Sequence, residues 1–226
     1  MDLRLSVFNS PFRTILFAGK PHAEADDLTP LYHIYTAYGW KSEPTIISTI
    51  SPSIAHDPTY KFTSEKATDV KEASEYEGGG DGFEEIGRII WKSIGSNRLD
   101  FQGRVTKIDE FMPSGGFLWK NRTFTGPDGL SYTWHSGDRL TVEKRGETGE
   151  TTEVIVARVC RRGPKWTFKT HLRDCLEIME EGMHMVDWIV VTWAYIWTQI
   201  MIGRNAAAQS ASAASSASAA AAAASV

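Results

Sequence analysis

The sequence predicts a mainly β protein in which an antiparallel β-barrel encloses one apolar C-terminal α-helix. Apolar and polar residues alternate with a period of two in short runs through the first 180 residues, a pattern typical of half-buried strands. Near the C-terminus, residues 188–202 contain no charged side chain. A helix that is apolar on every side must be surrounded, so we expect the strands to enclose it.

The predicted strands are short and are separated by strong turn signals, which favours a barrel or a sandwich. Alternation is clear at Leu3 and Leu5, and it recurs at Leu140 and Val142. Glycine, proline and aspartate mark turns at residues 126–129, 136–138, 146–149 and 163–164. Further strands are predicted at residues 31–36, 45–50, 86–91, 130–134, 154–160, 166–168 and 176–178.

These patterns divide the chain into one domain and a tail. Residues 1–204 are predicted to form a single barrel domain with its helix at about residues 185–203, where Asp187 suits the helix start and Gly203 the C-cap. Residues 52–84 carry eight acids against three lysines, which predicts an acidic flexible loop. Residues 205–226 contain only Asn, Ala, Gln, Ser and Val, which predicts a disordered tail.

Composition narrows the class of protein. The formal net charge is −4 and the sequence has no dense stripe of Lys and Arg, so we expect no nucleic-acid partner. Cys160 and Cys175 are the only cysteines, and the N-terminal residues lack an apolar signal region. Both features favour a cytoplasmic location.

A membrane span is the main alternative for the apolar helix. A bilayer crossing needs about 20 apolar residues, whereas fifteen residues that rise 1.5 Å each cover about 22 Å. Glu177, Glu180 and Glu181 also flank the segment where orientation rules favour Lys and Arg. We therefore prefer a buried helix, and a tail-anchored protein with residues 188–202 in the bilayer is the alternative.

Two blocks of sequence resemble a known family. The pattern F-x-x-x-D-G-x-x-Y-x-W lies at residues 124–134, and the pattern D-x-I-V-V-T lies at residues 187–192. Together they resemble the uncharacterised fungal family called domain of unknown function 6593, over most of residues 1–203. The two patterns in combination are more specific than either alone.

That family is similar to the Tubby C-terminal, LURP-one and scramblase group, so the resemblance implies an antiparallel barrel around one hydrophobic C-terminal helix. This chain departs from the pattern in its acidic loop, in its Ala/Ser tail and in the helix residues Trp188, Trp193 and Trp197. Three indoles inside a barrel need space and partners for their N–H groups.

No catalytic residue, metal site or cofactor is predicted. A nucleophile elbow and zinc-like ligand spacing are absent, and Asp128 and Asp138 each lie beside glycine in a turn, where aspartate bonds the backbone. Residues 154–173 contain no acid, and such a basic run suits anionic headgroups. The candidate ligand-binding residues are Arg161, Arg162, Lys165, Lys169 and Arg173.

The sequence thus predicts a non-enzymatic binding module whose ligand is an anionic phospholipid or a protein partner. With a phospholipid ligand the protein would be peripheral at a membrane. An enzyme with a site at the barrel mouth is a second alternative, and it requires a pocket with convergent polar groups and perturbed pKa values.

Overall fold

Thirteen antiparallel strands form one continuous sheet in this computed structural model, which describes residues 1–5, 13–19, 28–36, 43–57, 82–115, 121–146, 149–160 and 175–223. The predicted mainly β class is confirmed. The strands are β1 Asp2–Leu5, β2 Arg13–Gly19, β3 Thr29–Thr36, β4 Thr45–Ile50, β5 Phe83–Ile90, β6 Arg98–Phe101, β7 Arg104–Lys107, β8 Ser114–Gly115, β9 Asn121–Thr125, β10 Ser131–His135, β11 Arg139–Arg145, β12 Thr151–Cys160 and β13 Cys175–Ile178.

The strand order is that of a meander in which the first and last strands meet in the middle of the sheet. β1 lies between β2 and β13, and the order runs from there to β7 on one side and to β8 on the other. The Met1 amino group donates to the Ile178 carbonyl at 2.7 Å beside this pair. The pairing of β1 with β13, the first and last strands in sequence, therefore joins the two halves of the sheet.

The sheet is not closed by hydrogen bonds, so the described residues do not form the closed barrel that the sequence predicts. The edge strands β7 and β8 each pair with one neighbour. A short helix, Ile108–Phe111, lies in the sequence between them. The seven residue steps from Lys107, the end of β7, to Ser114, the start of β8, span at most about 25 Å. The two edge strands therefore lie near each other, which requires the sheet to curve.

A polar network beside this short helix joins the two edges. Arg122 of β9 donates to the Asp109 carboxylate at 2.8 Å and to the Met112 carbonyl at 2.8 Å. The Ser96 hydroxyl, just before β6, donates to Asp109 at 2.9 Å. The Arg122 guanidinium also lies 5.7 Å from the centroid of the Tyr195 ring, on the C-terminal helix. We call Ser96, Asp109 and Arg122 the seam network, because it links both sides of the open seam.

One long helix, Val186–Ala223, is the central helix of the structure. Residues 189–198 are all buried except Trp197, which is half-buried. Their side chains join one core cluster with inner-face residues from both halves of the sheet, such as Leu16 of β2 and Leu140 of β11. The prediction of a buried apolar C-terminal helix is confirmed, because the sheet supplies the cover that such a helix needs.

By length and composition, one helical segment among the described residues could cross a membrane. It spans Glu180–Arg204, has 25 residues, and 61% of its most apolar window is buried inside the protein. The buried core helix of a soluble protein meets the same criterion. Length and composition therefore do not distinguish the two alternatives, whereas the burial favours the enclosed helix.

The indoles of the interior differ in how they meet their need for hydrogen-bond partners. Trp134 of β10 donates from Nε1 to the Thr192 hydroxyl at 3.0 Å, and that hydroxyl donates to the Trp188 carbonyl at 2.7 Å. Trp193 stacks on Trp197 with ring centroids 4.8 Å apart, but its buried Nε1 has no partner among the described residues. An unpaired buried donor costs about 1–3 kcal/mol, so this end of the interior is less well satisfied.

The central helix does not end at Gly203. Its backbone continues to Ala223, so both the predicted helix end and the predicted disorder of the tail differ from the structure. Alanine has the highest helix propensity, and a single glycine in a helix costs about 1 kcal/mol. A helix that the sheet already nucleates is therefore extended through an Ala-rich tail. Ala206 and Ala207 are exposed, so the sheet no longer covers the helix there.

The sequence pattern predicted no strand at β2, β6, β7, β8 or β9, and of these β2 is buried on both faces. In β2, residues 14–17 are all buried, because Leu16 packs in the central core whereas Ile15 and Phe17 lie in a separate cluster. Because β2 is covered on both faces, it has apolar residues at successive positions and shows no alternation. In β1 the polar residues Asp2 and Arg4 are also buried, so this strand is not the half-buried one that the sequence predicts.

The acidic loop predicted at residues 52–84 is ordered at both of its ends. Pro52–Ala55 forms a short helix, and Phe83 begins β5. Ala55 and Phe83 are buried in the cluster that contains Ile15 and Phe17, so the ends of the segment cover the outer face of the sheet. Residues 58–81, and the strand predicted at residues 166–168, lie outside the described residues.

We expect Ala194→Arg to unfold the protein. Ala194 is 1% exposed inside the sheet, and an unpaired buried charge costs several kcal/mol, which is comparable to the stability of a whole domain. Thermal unfolding followed by circular dichroism measures the effect. Gln199→Arg is the matched control, because Gln199 is exposed on the same helix. Equal melting of the two variants would contradict the enclosed helix.

The seam network should make stability depend on pH. Hydrogen bonds from Arg122 and from Ser96 hold the pKa of the Asp109 carboxyl below its ordinary value of 3.8. A carboxyl whose pKa is lower in the folded state stabilises the fold above its unfolded pKa, and this contribution is lost as the pH falls through its folded pKa.

Asp109→Asn should therefore lower the free energy of unfolding near pH 7 and have a smaller effect near pH 3, as measured by urea unfolding. Glu110→Gln is the control, since Glu110 lies next to Asp109 on the same short helix and bonds only to Lys107 in the described structure. If Asp109→Asn lowers the free energy of unfolding equally at both pH values, the ionised network is excluded as a source of stability.

Candidate functional site

The sheet has two rims, and the strand register assigns the connections to one or the other. At the start rim the central helix begins at Val186, near the end of β13 at Ile178. At the exit rim the helix passes the β10–β11 hairpin, where a Cβ on Gly137 would lie 2.5 Å from the Ile200 side chain. Gly137 also has a φ of +76°, so the turn and the close approach both require glycine. Because strands that are neighbours in the sheet are antiparallel, the ladder assigns each strand end to one rim or the other.

The five predicted basic residues, at positions 161–173, lie outside the described residues. The strand ends that their segment joins are described: Cys160 ends β12, Cys175 begins β13, and the two are directly paired. Arg158 pairs with Arg139, which follows the exit-rim hairpin. The connection at residues 161–174 therefore leaves from and returns to the exit rim, whereas the relative positions of its side chains are not described.

An exposed isoleucine belongs to the same rim. Ile94, on the β5–β6 connection, is 93% exposed. The ladder from β13 through β1, β2, β3 and β4 to β5 assigns this connection to the exit rim. Lone exposed aliphatic residues are common on proteins. Ile94 differs from them in its position, because it lies on a strand connection beside the exposed Lys92 and at the rim to which the basic connection belongs.

The sequences of the connections give the two rims opposite charge. The exit-rim connection at residues 161–174 has five Lys and Arg residues and one acid, Asp174. The start-rim connection between β4 and β5 has six acids and three lysines within residues 58–81. The formal net charges of these two connections are therefore +4 and −3.

A cleft of about 500 Å³ opens at the start rim, beside the first turn of the central helix. Its walls combine the carboxylates of Glu84, Glu85 and Asp187 with the rings of Phe101 and Trp188. The two rings meet edge to face with centroids 4.9 Å apart. This cleft is in the position that the enzyme alternative requires, at the mouth of the space that the sheet encloses.

Two titrating groups beside the cleft, Tyr32 and Asp128, have shifted pKa values. The buried Tyr32 hydroxyl donates to Asp187 at 2.7 Å, and burial together with this bond raises the pKa of Tyr32 far above its ordinary value. The Tyr132 hydroxyl donates to Asp128 at 2.7 Å. Burial alone would raise the pKa of Asp128, but the bonds from Tyr132 and the Leu130 amide hold it below its ordinary value. Tyr32 is therefore neutral and Asp128 ionised near neutral pH, so neither is suited to proton transfer there.

His184 connects the cleft to the β9–β10 hairpin. Its Nε2 lies 3.4 Å from an Asp128 carboxylate oxygen, and both side chains are partly exposed. In the part of the chain that the structure describes, no group of three or more His, Cys, Asp or Glu side chains could hold a metal ion.

Sequence reasoning missed two residues of these rims. Tyr32 is 155 positions from Asp187, so no local pattern relates the two side chains. Ile94 lies in the run Ser93-Ile94-Gly95-Ser96 between two strands, a turn-like composition from which its exposure could have been predicted. Asp187 was correctly placed near the helix start, where it complements the helix dipole.

Comparison with known proteins gives one informative result. The family model described as "Family of unknown function (DUF6593)" matches residues 9–200. The matched region includes β2 to β13 and the buried part of the central helix, and it ends close to the exit rim. No curated protein and no solved structure matches the chain.

Tyr32→Phe tests whether the buried hydroxyl supports the start rim. Loss of a hydrogen bond to a charged group should lower the free energy of unfolding by about 1.5–3 kcal/mol, measured by urea denaturation. Asp187→Asn and the double variant complete a mutant cycle. Because the two side chains bond directly, we expect the two single effects to be non-additive. Additive effects would mean that the pair does not interact in solution.

Proposed function

This chain belongs to the DUF6593 family of unknown function, and we propose that it is a non-enzymatic binding module that docks its exit rim on anionic phospholipid. The observation that carries the proposal is the exposure of Ile94, 93%, at the rim where the basic connection begins and ends. Membrane surfaces bind proteins through this combination, in which cations attract the headgroups and apolar side chains enter the interface.

The energies of the two components are comparable. Each Lys or Arg near an acidic membrane contributes about 1 kcal/mol, so the basic residues of segment 161–174 supply several kcal/mol at low salt. Complete burial of an isoleucine side chain contributes about 1.5–3 kcal/mol. The electrostatic part weakens as salt is added, because the Debye length falls to about 8 Å at physiological ionic strength.

We also propose that the sheet curves into a barrel-like shell similar to the Tubby, LURP-one and scramblase group. The support is the sequence distance between its edges, which only the short helix Ile108–Phe111 and its flanking residues separate. The seam network adds side-chain bonds across this gap in place of a backbone ladder.

The other two functions have less support. A tail-anchored protein would need residues 188–202 in lipid, and this would leave the apolar inner face of the sheet without its cover. An enzyme at the start rim would need a proton donor or acceptor near neutral pH, and neither Tyr32 nor Asp128 supplies one, because their pKa values lie far from neutrality. A cytoplasmic location, peripheral at a membrane, agrees best with the docking proposal.

Vesicle pelleting tests the proposal with two variants of identical charge change. We expect binding to phosphatidylserine vesicles at low salt and little binding to phosphatidylcholine vesicles. Lys165→Glu/Lys169→Glu/Arg173→Glu should weaken binding at least about 100-fold, since three contributions of about 1 kcal/mol are lost. The matched control is Lys61→Glu/Lys66→Glu/Lys71→Glu in the start-rim connection, which should bind nearly as well as the natural chain.

Ile94→Ser separates the apolar contribution in the same assay. It should weaken binding by about tenfold while the dependence on salt stays the same, because no charge is removed. Equal losses in both triple variants would mean that net charge alone drives binding. Failure of the natural chain to bind phosphatidylserine vesicles would overturn the lipid proposal and leave a protein partner as the ligand to seek.

A further inference from the structure

The two cysteines of the chain face each other at the exit rim. Cys160 is the last residue of β12, Cys175 is the first residue of β13, and the two are Cα partners in the antiparallel ladder. Directly opposite residues in such a ladder have Cα atoms about 4.5–5.5 Å apart, within the range of about 4.4–6.8 Å that a disulfide spans. Directly opposite side chains also lie on the same face of the sheet.

The surroundings of the pair are polar and charged. The Cys160 thiol donates to a Glu177 carboxylate oxygen at 3.2 Å, and it also forms a hydrogen bond with the Cys175 thiol. Arg158 donates to the same Glu177 oxygen, and Arg4 of β1 is opposite Cys175. Burial, then Glu177 and Cys175, raise the pKa of Cys160 to about 12. Little Cys160 thiolate is therefore present near neutral pH, which slows its attack on a disulfide.

We propose that Cys160 and Cys175 are a redox pair that forms a reversible cross-strand disulfide with a low-molecular-weight disulfide, such as oxidised glutathione, as the oxidant. Cys160 is half-buried and Cys175 is buried, so the Cys160 thiolate attacks first. It forms a mixed disulfide and releases one glutathione thiolate, which takes up a proton. The Cys175 thiolate then attacks the Cys160 sulfur and releases the second glutathione. The two cysteine thiols are oxidised, and one glutathione disulfide is reduced to two thiols.

The position of the pair gives the disulfide a structural consequence. It would join covalently the two strand ends between which segment 161–174 runs, and so close a ring at the base of the basic connection. In the reduced protein, these two ends are held together by the pairing of β12 with β13. This inference does not depend on phospholipid binding, because it concerns the strand ends alone.

The test uses the full reduced chain, incubated with oxidised glutathione at mildly alkaline pH, alkylated, digested and analysed by mass spectrometry. We expect a peptide that links Cys160 to Cys175 within one chain and that disappears after treatment with dithiothreitol. Cys175→Ser should stop at the glutathione adduct on Cys160, and Cys160→Ser should leave the buried Cys175 unmodified.

Glu177→Gln keeps both cysteines and tests the role of their surroundings. Removing the carboxylate should lower the pKa of Cys160 and increase the rate of the first step several-fold, whereas Glu153→Gln on the neighbouring strand should leave the rate unchanged. A natural chain that collects the glutathione adduct at Cys160 without the linked peptide would overturn the proposal. A link that forms only between two chains would overturn it equally.

Discussion

The requirement to cover a helix that is apolar on every side is the constraint on which the rest of this structure depends. Residues 189–198 have no polar stripe that could face water, so the protein must supply cover around the whole helix. One long sheet does this with inner-face side chains from both of its halves. The seam network lies beside the two edge strands of the sheet. Because Tyr195 of the helix contacts Arg122 of this network, the helix and the seam are stabilised together.

The order of the strands brings acidic and basic connections, which are distant in sequence, to opposite rims of the sheet. The ladder on the two sides of β1 and β13 assigns the acidic connection after β4 to the start rim and the basic connection after β12 to the exit rim. The start rim has a cleft with carboxylates and aromatic rings, and the exit rim has Ile94 and the cysteine pair.

The interior also accepts polar groups where they serve the fold. The Thr192 hydroxyl accepts from Trp134 and donates to the Trp188 carbonyl, so one side chain ties a strand to the helix. Trp193 receives no such partner in the described structure and stacks on Trp197 instead. The buried area and stacking of the large rings offset part of this loss, which is why three indoles can be accommodated in one helix.

The sequence by itself determined the mainly β class, most of the strands, the buried helix and the turns at residues 126–129 and 136–138, since local periodicity and turn chemistry encode these features. It could not identify β2, because this strand is covered on both faces and is apolar at successive positions, and it did not predict the short strands β6, β7, β8 and β9. It also could not decide that the sheet is not closed between β7 and β8, that the helix continues to Ala223, or that Tyr32 bonds Asp187. Only the tertiary structure decided these, because each depends on which residues, distant in sequence, pack against one another.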